Sequence, residues 1–156
     1  SWVERFLPTK IFLNGPRASQ CNIDQKITVK QKETIAPELT RLAMATKRKS
    51  QSAHEAVEQF FLINDSSTVC TELPVFINPK ETNLFSIKTP LTGHIDLIQI
   101  RNNILYIMDY KPNLRHPEKH ASQLIAYKEA IQKRTNLPEK HIIPAVFNQY
   151  DYFEFE

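Results

Sequence analysis

Apolar residues recur along this chain at two periods, and each period predicts one type of element. Spacings of three and four residues predict helices from Thr34 onward, over residues 50–63 and over residues 117–134. Short β-favouring runs predict strands at residues 69–77, 92–100, 104–111 and 142–147, the last one continuing into residues 150–155. Helices, three strands, a helix and a strand in this order predict an α/β fold, with a mixed sheet flanked by helices.

The second and third strands are separated by a short polar segment and predict a hairpin. If Asn102 and Asn103 are the two central residues of a tight turn, Asp96 lies directly opposite Asp109. Asparagine tolerates the positive φ that such turns require. Opposed residues project to one face with Cβ atoms roughly 4.5–5.5 Å apart, so the two carboxylates converge and repel. Lys111 emerges on the same face as Asp109 by strand alternation. The alternative is that residues 109–112 are only the polar end of a strand.

Composition limits the class of protein. A chain of 156 residues with 41% hydrophobic residues is the size of one domain, and its net charge of +3 is too mild to indicate a partner. The longest apolar run, Ile104 to Met108, is far shorter than the roughly 20 residues of a membrane span. Two cysteines, Cys21 and Cys70, exclude a dense disulfide framework and a four-cysteine metal site, and favour a reducing, cytoplasmic location.

Several short motifs occur together in a characteristic order. Gly93-His94-Ile95-Asp96 is followed thirteen residues later by Asp109-Tyr110-Lys111, and then by Gln123 and Tyr127 on a helix. With His54 on an upstream helix and Glu72 on the first core strand, this pattern resembles the PD-(D/E)xK nuclease superfamily, most closely its RecB-like exonuclease branch. The chain departs from the iron–sulfur members of that branch, since it lacks their four cysteines.

The resemblance covers residues 33–150 and implies a restriction-endonuclease-like core. It divides the chain into a nuclease-like domain, residues 33–156, and an N-terminal extension of unknown role, residues 1–32.

The resemblance also implies a metal site. It assigns Mg²⁺ or Mn²⁺ to His54, Asp96, Asp109 and the backbone carbonyl of Tyr110, a set rich in the oxygen ligands that hard cations prefer. The sequence pattern of the helix over residues 50–63 places His54 on the apolar side, toward the core, where a histidine that serves only packing is the alternative.

The remaining candidates are catalytic or bind nucleic acid. By resemblance Lys111 orients the attacking water, and Gln123 and Tyr127, on one helical face, position a phosphate or this water. Glu72 is a secondary candidate, either for a second metal or as a support for Lys111. Basic residues expected to grip a phosphodiester backbone, or alternatively to be merely solvated, are Lys47, Arg48, Lys49 and Arg115.

The function expected from this resemblance is metal-dependent hydrolysis of DNA at single-stranded or duplex ends. The enzyme would be an exonuclease or a single-strand or flap-processing nuclease of repair or recombination. Two alternatives keep the fold: an inactive nucleic-acid-binding module, or the nuclease domain of a larger helicase-associated protein. A third is a structural or protein-interaction domain.

Overall fold

The structure, a computed structural model, describes residues 15–20, 23 and 26–156. Its longer elements are, in order, β1 (Val29–Gln31), α1 (Ala36–Ala45), α2 (Ala53–Asn64), β2 (Thr68–Ile77), β3 (Leu91–Arg101), β4 (Ile104–Tyr110), α3 (Ala121–Thr135), β5 (Ile142–Phe147) and β6 (Tyr152–Phe155). Within these residues, no helix combines the length and the apolar character needed to cross a bilayer.

Local sequence signals set the helix ends. Ser52 caps α2, since its hydroxyl accepts from the amide of Glu55 while the Glu55 carboxylate accepts from the amide of Ser52. Pro37 lies in the first turn of α1, where a missing N–H costs no hydrogen bond. α3 ends at Asn136 in the left-handed region, at φ 55°. α2 and α3 therefore start later than the periodicity alone predicts, and residues 117–120 form a 3₁₀ turn.

The strands form one six-stranded sheet in the order β1-β6-β5-β4-β3-β2. β4 and β5 are parallel because α3 crosses over between them, whereas every other pair is antiparallel. One face packs against α1 and α2 through Phe61, Met108 and Phe147. The other packs against α3, where a helical stripe of Leu124, Tyr127 and Ile131 is buried. The predicted mixed sheet with flanking helices is confirmed.

The expectation that the last strand runs on to residue 155 was wrong. The Asn148 side-chain oxygen accepts from the amides of Tyr150 and Asp151, at 2.8 Å each, and so stabilises a tight reversal. β6 then returns antiparallel to β5, with Ala145 opposite Glu154. Its other edge pairs with β1.

The described part of residues 1–32 packs on the same sheet. β1 is an edge strand, the Pro16 carbonyl accepts from the amide of Thr92, and Ala18 is buried against the α3 face. Cys21 lies outside the described residues, and Cys70 is a free thiol.

Candidate active site

The β3–β4 hairpin has the register that its turn predicts. Asn102 and Asn103 adopt φ values of 50° and 63°, as a two-residue turn of this kind requires. Pairing runs regularly from Arg101↔Ile104 to Leu97↔Met108. The next two positions in this register are Asp96 and Asp109, and there the ladder stops.

Two side-chain hydrogen bonds occupy the gap where the strands separate. The amide of Asp96 donates to Asp109 Oδ1 at 3.0 Å, and the amide of Tyr110 donates to Asp96 Oδ2 at 2.8 Å. On its far edge β4 stays joined to β5, since the amide of Lys111 donates to the Phe147 carbonyl at 3.0 Å. The two carboxylates therefore take the place of ladder hydrogen bonds, and the sequence-based expectation that they converge is confirmed geometrically.

The alternation of side chains between the two faces of the sheet is also broken near Asp96. On β3, Ile95 and Ile98 both pack on the α3 side although strict alternation places them on opposite sides, and Leu97 packs on the α2 side. On β2, Cys70 and Leu73 show the same odd spacing on the α3 side. Glu72 lies between them at φ 51°, a left-handed conformation that costs a non-glycine residue of order 1 kcal/mol. Strained backbone thus lies beside the separated strands.

Three carboxyl groups near this gap have raised pKa values. Burial raises the pKa of Asp109, and the neighbouring Asp96 charge adds to the effect. Burial likewise raises the pKa of Asp96, against the opposing hydrogen bond from Tyr110. Burial, then repulsion from Asp96 and Glu72, raises the pKa of Glu58 to about 8. Such a cluster carries more negative charge than its partners neutralise, which favours a proton or a cation.

Glu58 is the site residue that sequence reasoning missed. The pattern of α2 places it on the solvated side with Gln51 and Glu55, but only 6% of its surface is exposed. The carboxyl group of Glu72 lies close enough for its charge to contribute to the raised pKa of Glu58. The available signal was its spacing from His54, because residues four apart share one face of a helix.

His54 was expected to point toward the core, and this was wrong. Its side chain is 49% exposed and lies over the gap where β3 and β4 separate. Nε2 is 3.1 Å from the Tyr110 carbonyl oxygen and 3.7 Å from Asp96 Oδ2. The imidazole edge meets the Tyr110 ring, with centroids 5.1 Å apart. The helix starts at Ala53 and so places His54 in its first turn, where the side chain reaches the Tyr110 carbonyl at the end of β4 and not the buried core.

On the α3 side, a chain of polar contacts leads away from Asp109. Lys111 Nζ lies 3.6 Å from Asp109 Oδ2 and donates to Gln123 Oε1 at 2.7 Å. Gln123 Nε2 in turn donates to Tyr127 Oη at 3.0 Å. Burial, with the charge of Asp109, raises the pKa of Tyr127, which therefore stays a neutral phenol. These contacts hold the Lys111 ammonium group between the Asp109 carboxylate and the Gln123 amide.

Gly93 leaves space for the Tyr127 ring, at the end of this series of hydrogen bonds. A Cβ at position 93 would overlap Tyr127 Cε1, so the buried ring would have to move. Gly93 pairs regularly with Val75, so it forms no bulge; the register shift of β2 lies between Thr68 and Cys70. The glycine is therefore required by the tyrosine ring.

The other candidates lie around this centre. Glu72 is exposed, and its charge contributes to the raised pKa values of Glu58 and Asp96. Lys47, Arg48 and Lys49 are exposed in the loop that enters α2, a few residues before His54. Arg115 is exposed in the loop after β4. Their expected contacts with nucleic acid stay predictions.

The donor atoms fit a hard divalent cation chemically. A carbonyl oxygen, an imidazole nitrogen and carboxylates with unneutralised charge lie around one gap in the sheet, and such oxygen-rich sets suit Mg²⁺ or Mn²⁺. Among residues 15–20, 23 and 26–156, no three His, Cys, Asp or Glu side chains already form a ligand cluster. Asp96 and Asp109 each engage one carboxylate oxygen with a backbone amide.

Comparison with known proteins agrees with this geometry. No curated protein matches the chain. The model of one family, described as the PD-(D/E)XK nuclease superfamily, matches residues 2–152, nearly the whole sequence. That match includes the separated strands, His54 and the Lys111 contacts, and it also covers most of residues 1–32. A match of this length, on a mixed α/β sheet, means that the chain belongs to the PD-(D/E)XK nuclease superfamily.

Proposed function

We propose that this protein is a Mg²⁺- or Mn²⁺-dependent deoxyribonuclease of the RecB-like kind. It would act as an exonuclease or a single-strand or flap-processing enzyme in DNA repair or recombination. Membership of the superfamily by itself indicates a metal-dependent nuclease. The supporting observation is that Asp96 and Asp109 meet where β3 and β4 separate, with His54 and Lys111 on either side.

The proposed metal ligands are His54 Nε2, the Tyr110 carbonyl, Asp96 and Asp109. A bound divalent cation would supply Lewis-acid stabilisation of the scissile phosphate and a more acidic water. Glu58 and Glu72 add carboxylate charge next to these ligands.

The protein's own residues supply orientation and positive charge. Lys111, held by Gln123 at 2.7 Å, presents an ammonium group beside the carboxylate pair. From that position it can donate to an attacking water or to a phosphate oxygen, offsetting the negative charge that accumulates on phosphorus. Gln123 accepts from Lys111 and donates to Tyr127, so its amide has one orientation. Tyr127 acts by positioning this amide against β3.

Replacing Asp109 by Asn tests the proposal directly. The variant keeps the shape of the side chain and loses its charge, so metal-dependent cleavage of DNA should fall by at least about 10²–10³-fold. DNA binding should change little, because Asp109 is buried and lies behind the cleft surface. Glu139→Gln, which removes an exposed charge on the connection between α3 and β5, is the control.

Cleavage that survives in the Asp109→Asn variant would refute the proposal. Metal binding gives a second test, independent of turnover. Mn²⁺ soaked into crystals should give an anomalous peak between Asp96 and Asp109 in the wild type and a weaker one, or none, in the variant.

A further inference from the structure

One aromatic side chain projects into solvent beside the proposed active site. Tyr150 is 74% exposed, on the turn that joins β5 and β6. Single exposed apolar residues are common on protein surfaces and need no explanation. Here two further observations, the rigidity of the turn and its surroundings, indicate a role.

The backbone on both sides of the ring is held by hydrogen bonds. The Asn148 side-chain oxygen accepts from the Tyr150 and Asp151 amides, and the Asn148 amide donates to the Asp151 carbonyl at 3.0 Å. Arg41 Nη1 donates to the Gln149 carbonyl at 2.6 Å. A tyrosine has only two side-chain torsions, so a ring on a fixed turn loses little entropy when it binds. The ring is thus a pre-organised aromatic surface.

This turn lies next to the strand end that carries Lys111. The Phe147 carbonyl accepts from the Lys111 amide, and Asn148 Nδ2 donates to the Pro112 carbonyl at 3.3 Å. Tyr150 is three residues beyond Phe147, which limits its Cα to about 11 Å from that of Phe147. A nucleotide strand leaving the active site on this side would meet the ring within the first few nucleotides.

The ring separates two open clefts. The cleft of about 490 Å³ toward Lys111 is bordered by Pro112, Asn113 and Arg115. The Asp151 carboxylate in its wall accepts from Gln31 Nε2 at 2.9 Å. The cleft on the other side, about 640 Å³, is lined by Lys32 and Arg41 as well as by Glu33 and Glu38. Both cations are engaged there, Lys32 with Glu154 at 2.6 Å and Arg41 with the Gln149 carbonyl. A phosphate therefore suits the exposed Arg115 on the opposite side, and the far cleft leaves room for a base.

We propose that Tyr150 stacks on an unpaired base of a single-stranded nucleic acid whose backbone passes Arg115 on its way from Lys111. The position of this strand rests on the proposed function. The aromatic face accepts any base, so the contact selects for single strands and not for sequence. In an intact duplex the bases are already stacked on both faces and cannot reach the ring.

Binding, measured separately from cleavage, tests this assignment. In the Asp109→Asn background with Mg²⁺, anisotropy of a labelled short oligothymidylate should show Tyr150→Ala binding about 5- to 150-fold more weakly, the equivalent of roughly 1–3 kcal/mol per stacked base. Tyr150→Phe and Tyr150→Trp should bind like the parent. Ile63→Ala, which removes a side chain that is 78% exposed on α2, is the matched control.

A relaxed, covalently closed duplex serves as the competitor without unpaired bases. Its inhibition constant should be the same for the parent and for the Tyr150→Ala variant, within about twofold. Equal loss on both substrates would overturn stacking, as would full single-strand binding by Tyr150→Ala. The outcome also separates the two proposals: cleavage by the wild type without any Tyr150 effect refutes only the stacking, and a Tyr150-dependent affinity without wild-type cleavage refutes only the nuclease.

Abasic substitution along the oligonucleotide locates the contact. Removing one base at a time should weaken binding to the parent protein at a single position of the oligonucleotide, the one whose base stacks on Tyr150. The same scan with Tyr150→Ala should show no such position. A scan that is flat in both proteins would refute the proposal.

Discussion

The β3–β4 ladder is regular from Arg101↔Ile104 to Leu97↔Met108, and it breaks at the next pair. In the regular half, backbone N–H and C=O groups hydrogen bond across the two strands, and the side chains pack into the apolar layers on the two faces of the sheet. In the broken half, the carboxylates of Asp96 and Asp109 accept the hydrogen bonds of backbone amides. β2 is irregular at the same level, where Glu72 adopts φ 51°.

This contrast shows where the fold places its chemistry. The regular half holds the strands in register, and that register brings two buried acids to one point although they repel. The broken half then exposes the Tyr110 carbonyl to His54 at 3.1 Å. The unneutralised charge lies in the broken half, so substitutions in the two halves should have different consequences.

The largest effect on stability is expected at Gly93, in the broken half. Gly93→Ala should lower the free energy of unfolding by about 2–3 kcal/mol or more, because the new Cβ would overlap the Tyr127 ring. Urea titration measures this loss. In a Tyr127→Ala background the same substitution should cost little, since the ring is absent; equal costs in both backgrounds would contradict the explanation.

The next effect is a pH dependence that originates in the acidic cluster. Glu58 has a folded-state pKa of about 8, raised from 4.5, so between these values the folded state retains a proton that the unfolded state has lost. The free energy of unfolding must therefore fall as pH rises through this window. Between pH 4.5 and pH 8 the wild type should lose more in Tm than Glu58→Gln, which cannot ionise.

The difference between the two melting curves isolates Glu58 from other titrating groups. Glu139→Gln should track the wild type, because residue 139 is exposed on the connection between α3 and β5. Mg²⁺ should stabilise the wild type more at the upper end of the window, where the carboxylates have lost their protons. Parallel pH curves for wild type and Glu58→Gln would show that burial does not raise this pKa.

The smallest effect is expected at the turn of the regular half. Asn103 has φ 63°, so Asn103→Ala should cost about 1 kcal/mol and Asn103→Gly essentially nothing. Both variants should cleave DNA like the wild type, since several regular pairs separate the turn from Asp96. Reduced cleavage by Asn103→Gly would mean that the two halves are coupled and that their comparison fails.

Local and short-range features were predictable from the amino-acid order. The Asn102-Asn103 turn determines the hairpin register, because only a two-residue loop with positive φ at both positions aligns Asp96 with Asp109. The period of α3 likewise places Gln123 and Tyr127 on one face, and the structure connects them at 3.0 Å. Turn chemistry and helical spacing act over a few residues, so the sequence displays them directly.

Features that depend on remote neighbours were not predictable. Glu58 has the sequence signature of a solvated helix position and becomes buried only because β2 and β3 pass beneath α2. The reversal at Asn148 and the edge pairing of β1 depend on strands that meet in space and not in sequence.

The order of residues alone thus determined the hairpin, the α3 stripe and the set of acids and lysine that marks the superfamily. The tertiary structure alone decided that His54 lies over the gap between β3 and β4 and that Glu58 is buried near Asp96 and Glu72. It also decided that the Tyr127 ring occupies the space beside Gly93. The physical reason is that burial and charge repulsion depend on which surfaces meet, whereas turns and periods depend on neighbours along the chain.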